Sequence, residues 1–117
     1  PGCKSANVTL TRAEFKRLYD RKQYRKALTL LSPLPNQCIK TLGWLESPAI
    51  LNDIAITQYK LGMREACLKT LAPLQEDAAR SDDEILADYP PADGISRLES
   101  VKAARTNLRL CRSLRTK

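Results

Sequence analysis

Residues 51–74 read LNDIAITQYKLGMREACLKTLAPL, and two helical stripes meet in them at a glycine. Leu51, Ile54, Ala55 and Tyr59 recur at intervals of three and four, which puts them on one face of a helix; beyond Gly62, Ala66, Cys67, Leu71 and Leu74 form a second face. Gly62 interrupts the pattern where a reversal needs backbone freedom, so the stretch predicts two short helices folded back on one another. Ser47-Pro48 ahead of it supplies a capping residue and a proline at the first helical position.

The same plan stands upstream in residues 11–34, TRAEFKRLYDRKQYRKALTLLSPL. Phe15, Leu18 and Tyr19 share one stripe, and Tyr24, Ala27, Leu30, Leu31 and Leu34 another, with the polar Arg21-Lys22-Gln23 between. Thr11 reads as the cap of the first helix, with Glu14 completing a capping box, and Pro33 and Pro35 stop the second helix. Residues 36–50, with Gly43 and the only Trp, read as a linker. Residues 75–94, QEDAARSDDEILADYPPADG, read as an acidic connection holding one short helix, capped by Ser81 and Glu84 and stopped at Tyr89-Pro90-Pro91. In residues 95–114, Ile95, Leu98, Val101, Leu108, Cys111 and Leu114 recur at helical spacing and predict a closing amphipathic helix.

Composition agrees with this pattern. A length of 117 residues with 43% hydrophobic content suits one domain with one modest core. Leu and Ala dominate over a single Trp and a single Phe, so the interior is aliphatic and the fold class all-α. No run approaches the roughly 20 apolar residues of a bilayer span, and PGCKSANVTL lacks an apolar signal core; the chain reads as soluble and already processed.

Set against each other, the two helix pairs align at an offset of 40 residues, Lys22 opposite Gly62, Tyr19 opposite Tyr59, Ala27 opposite Cys67, Leu31 opposite Leu71 and Leu34 opposite Leu74. This pattern resembles the tetratricopeptide repeat: large and small apolar residues on a first helix, a tyrosine near its end, a glycine turn, then a small residue and bulky ones on a second helix. Residues 48–74 resemble it closely. In residues 11–34 Phe15 stands at a small-residue position and Lys22 replaces the turn glycine, while AARTNLRLC in the last helix is similar to the first helix of a third repeat. The resemblance implies a single domain of two hairpins (11–34 and 48–74), an acidic connection (75–94) and a capping helix (95–114). It also implies a concave surface lined by the first helices, with Lys16, Tyr19, Asn52, Gln58 and Tyr59 as contact candidates.

Four cysteines, Cys3, Cys38, Cys67 and Cys111, lie far apart with no CxxC pair. Two disulfides of an exported protein are the favoured reading; four buried thiols of a cytosolic helical protein are the other. Because the resemblance packs the second hairpin beside the last helix, Cys67–Cys111 is the expected pair, leaving Cys3 with Cys38. Alternatively, Gly2-Cys3 matches the end of a lipoprotein signal, so that Cys3 carries lipid and gives the only route to a membrane.

There is no histidine, which removes the commonest general base and zinc ligand together with the Ser/His/Asp and Cys/His systems. Glu76, Asp77, Asp82, Asp83, Glu84, Asp88 and Asp93 are read as ordinary solvated carboxylates of a mobile connection, without calcium-loop spacing. No glycine-rich phosphate loop occurs. No catalytic residue, metal or cofactor is therefore expected, and the chain is read as a non-enzyme. The net charge of +7 is polarised: residues 1–45 carry nine Lys/Arg against two acids, residues 46–98 five against ten, and residues 99–117 six against one. The basic ends are read as solvated helix faces rather than a nucleic-acid site, since aromatics for base stacking are lacking. Tyr24 is read as filling a helix junction, and Trp44 either as a plug at the core edge or as an interaction anchor.

Together these readings lead to a protein-binding adaptor of the bacterial envelope or periplasm whose partner is another protein or a peptide. The competing expectation is a periplasmic immunity or inhibitor protein that blocks a toxin or envelope enzyme with the 75–94 segment, through Asp82, Asp83 and Glu84.

Overall fold

The structure, a computed structural model, describes the backbone of residues 5–37 and 46–115. Among these residues it is all-helical. The order is α1 (Ser5–Asp20), α2 (Tyr24–Leu31), α3 (Leu34–Gln37), α4 (Glu46–Lys60), α5 (Arg64–Leu71), a 3₁₀ turn (Ala72–Leu74), α6 (Gln75–Ala78), α7 (Asp82–Asp88) and α8 (Pro91–Ser113). Cys3, Cys38, Gly43 and Trp44, and with them the expectations placed on them, lie outside the described residues.

Both interhelical reversals are built identically, 40 residues apart. The Lys22 N–H donates to the Tyr19 carbonyl at 2.9 Å and the Gln23 N–H to the Leu18 carbonyl at 2.9 Å. In the second pair Gly62 donates to Tyr59 at 2.9 Å and Met63 to Gln58 at 2.9 Å. These are the two bonds of a Schellman ending, which satisfies the last carbonyls of a helix by placing the following residue in the left-handed region. Lys22 has φ 60° and Gly62 φ 73°. A non-glycine residue is strained there, and a Cβ at Gly62 would meet nothing within 4 Å, so the strain is purely conformational. Lys22→Gly is accordingly expected to stabilise the fold by about 0.5–1 kcal/mol and Gly62→Ala to destabilise it by about 1 kcal/mol. Urea midpoints of the two variants check this, and a shift in the same direction for both would refute it.

Helices α1 and α2 pack together, as do α4 and α5; α2 rests on α4, and α8 lies against both α4 and α5. The equivalent positions are buried alike: Ala27 and Cys67, Leu31 and Leu71, Leu34 and Leu74. One cluster joins Val8, Phe15, Ala27, Leu31, Leu34, Ile50 and Ile54; a second joins Ala55, Cys67, Leu71, Leu74, Ala104, Leu108 and Cys111. Helix α4 feeds both, presenting Ile50 and Ile54 to one side and Ala55 to the other. Each fully buried Leu or Ile contributes roughly 1.5–3 kcal/mol, which makes these stripes the main reason the short helices persist. Cys67 and Cys111 are disulfide-bonded, with Cα atoms 5.8 Å apart.

The structure corrects the sequence reading in four places. Thr11 is not a cap: α1 already runs from Ser5, because Val8 continues the buried stripe about two turns before Phe15, and Glu14 instead pairs with Arg17. Helix α4 starts at Glu46, so Ser47 lies inside it and Pro48 in its first turn. Ile95 is 61% exposed, since the inward stripe of α8 runs through Gly94, Val101, Ala104, Leu108 and Cys111. Residues 75–94 are not a solvated loop: they form α6, α7 and the first turn of α8, with Pro91 opening α8 where a missing N–H costs nothing. The Ser81–Glu84 capping box is present, the Glu84 N–H donating to the Ser81 hydroxyl at 3.2 Å and the Ser81 N–H to the Glu84 carboxylate at 3.3 Å.

Candidate functional site

Helix α1 exposes a second stripe beside its buried one. Arg12, Lys16 and Tyr19 follow at intervals of four and three, and Asp53 and Ile56 make the matching stripe on α4. Between them lies an open groove of about 500 Å³, lined by Thr9, Arg12, Ala13, Phe15, Lys16, Tyr19, Asp20, Asp53 and Ile56. Its walls are apolar (Ala13, Phe15, Ile56) and its rim charged, the composition of a site that seats a side chain by burial and orients it by a few polar groups.

The rim is ordered by its own contacts. Arg12 spans from α1 to the Asp53 carboxylate at 3.0 Å. Burial pushes the Asp53 carboxyl above its ordinary value, more than the neighbouring guanidinium lowers it. Tyr19 stands between Phe15 and Tyr24, with ring centroids 5.8 Å and 5.3 Å away. Burial, then the negative charge that Tyr24, Asp20 and Asp53 can carry, raises its hydroxyl above the usual value, so it stays a neutral donor and acceptor at physiological pH. Lys16 is exposed and pairs loosely with Asp20 at 3.3 Å.

Of the residues implied as contacts, Lys16 and Tyr19 meet in this groove. Asn52 does not: it is 7% exposed, donates to the Ser100 carbonyl at 2.9 Å and accepts from Asn107 at 3.0 Å, a buried amide bridge between α4 and α8. Gln58 accepts from the Thr70 hydroxyl at 2.7 Å, tying α4 to α5, and Tyr59 packs on the second cluster. Asp53 and Ile56 carry no signal in the sequence, and Arg12 reads there only as part of a solvated basic face. They sit one step outside the apolar stripe, and only the pairing of α1 with α4 gives that position meaning.

The acidic residues of the 75–94 segment line no part of the groove, and several are bound to arginines. Asp77 accepts from Arg97 at 2.6 and 3.0 Å, from Arg80 at 3.2 Å and from the Tyr89 hydroxyl at 3.3 Å. Burial alone would raise its carboxyl, but those hydrogen bonds outweigh it and hold Asp77 below the ordinary carboxylate value. Asp82 accepts from Arg105 at 2.7 Å, and Arg105 also donates to the Ala78 and Arg80 carbonyls at 3.1 and 2.6 Å. Arg80 is further paired with Asp88. Glu84 is engaged in the helix cap, and Asp83 is left exposed.

Among the described residues no three His, Cys, Asp or Glu side chains come together as a metal ligand set. No helix among them is long and apolar enough to cross a membrane. Comparison with protein-family models, with curated proteins and with solved structures gave no match.

Proposed function

We propose that the chain is a non-catalytic, tetratricopeptide-like adaptor that binds a segment of another protein in the groove between α1 and α4, and that it works in the bacterial periplasm or envelope. One observation supports the reading: two helix pairs turn through the same hydrogen bonds, at φ 60° and 73° on residues 40 apart, and an amphipathic groove lies between their first helices. The Cys67–Cys111 disulfide is compatible with an oxidising compartment.

The inhibitor reading is weaker, because Asp77, Asp82 and Asp88 already serve arginines of their own chain, and detaching them would cost stability. The two readings separate through Ala13, which is exposed and lines the groove. Ala13 belongs to neither core cluster, so Ala13→Trp fills that space from the exposed side of α1. Affinity capture from an envelope extract is expected to lose its partner with Ala13→Trp and to retain it with Asp83→Lys. The reverse pattern would discard the groove and restore the acidic segment.

A further inference from the structure

The end of the molecule that carries both interhelical turns is strongly basic. Two depressions of about 490 Å³ and 370 Å³ adjoin there, sharing Arg25 and Leu61. Lys22, Arg25, Lys26, Arg64 and Arg115 surround them, against Glu65 alone, which is paired with Arg64 at 2.8 Å. Among the described residues no carboxylate lies within ion-pair distance of Lys22, Arg25, Lys26 or Arg115. The floor is aliphatic: Leu61 is half-buried and Met63 is 37% exposed.

Helix stability does not account for these charges. Arg25 and Lys26 occupy the first turn of α2, where the macrodipole disfavours cations, and that turn holds no acid. The equivalent turn of α5 provides an internal control, because 40 residues on from Arg25 stands Glu65, the favourable charge. At the position of Arg25 and Glu65 the two turns thus carry opposite charges, and although Arg64 also stands in the first turn of α5, only that turn has an acid to offset its cation.

We propose that this end is a docking surface for an acidic segment of a partner protein, whose carboxylates meet Arg25, Lys26 and Arg115 while an apolar side chain rests on Leu61 and Met63. It shares no lining residue with the α1–α4 groove and stands or falls separately from it. A protein segment fits better than nucleic acid because the floor is aliphatic, and the one aromatic ring, Tyr24, is already packed edge-on against Tyr19 at 5.3 Å rather than open for stacking.

The test is fluorescence anisotropy on the full, oxidised chain with three probes: a labelled peptide of alternating glutamate and leucine, mixed-sequence duplex DNA, and phosphatidylserine vesicles. The peptide is expected to bind most tightly, and Arg25→Glu to weaken it by about tenfold while raising the thermal midpoint, since it installs the charge that α5 already has. Ala13→Trp is expected to leave this binding unchanged. Tighter binding to DNA or vesicles, no binding of the peptide, or unaltered peptide affinity in Arg25→Glu each overturns the proposal. Loss of affinity accompanied by a lower midpoint overturns it too, because the arginine would then be structural.

Discussion

Replacing both Cys67 and Cys111 with alanine is expected to lower the thermal midpoint by roughly 15–30 °C, and reduction of the unaltered chain to have nearly the same effect. The bridge closes a loop with a sequence separation of 44. For that length, lost loop entropy in the unfolded chain corresponds to about 4 kcal/mol, a large share of the 5–15 kcal/mol available to a domain of this size. Both sulfurs are fully buried between α5 and α8, so cleavage also replaces a filled contact with thiols or a small void. Thermal unfolding followed by circular dichroism, with and without reductant, measures both arms. A fall of only a few degrees on reduction would mean that aliphatic packing alone holds α8 in place.

Asp77→Ala is expected to cost about 2–4 kcal/mol, the second largest effect. Only 13% of the Asp77 side chain and 12% of the Arg97 side chain remain exposed. Removing the carboxylate takes from Arg97, Arg80 and Tyr89 an acceptor that all three use, in surroundings where water replaces it poorly. Asp77→Asn keeps the shape and part of the hydrogen bonding, and is expected to cost less. Because the folded state holds this carboxyl below its value in the unfolded chain, its contribution is complete above about pH 4 and fades as pH falls through the folded-state value. The gap in stability between the unaltered chain and Asp77→Asn should therefore narrow on acidification. A constant gap in urea titrations at neutral and acid pH would show that packing, not charge, is what Asp77 provides.

These two sites differ in how visible they are along the chain. The helices were legible because their apolar residues repeat locally: Ala27 and Leu31, and Cys67 and Leu71, each mark one helical turn, and all are buried. Partnership of Cys67 with Cys111 followed once both faced inward on adjacent helices. The start of α1 was misread because a threonine with a glutamate three residues on looks like a cap wherever it occurs, whereas Val8 was the better guide to where the stripe begins. Asp77 was misread for a deeper reason. Its partner Arg97 lies 20 residues away on another helix, and no periodicity links a carboxylate to a guanidinium across a turn. Asn52 failed likewise: an amide on a first helix suits a binding face or an interhelical bridge equally, and only the placement of α8 decides. Local repetition thus reveals the scaffold, while the polar contacts that distinguish one face from another depend on which helices become neighbours.

The division of the apolar interior has a mechanical consequence. The two clusters share only α4, and the covalent link ties α5 to α8, so among the described residues the amino-terminal pair is joined to the remainder by non-covalent contacts alone. Among the described residues the rivet lies in the carboxy-terminal half. Cutting it would loosen the second cluster, while the α1–α4 groove is walled by helices that meet in the first.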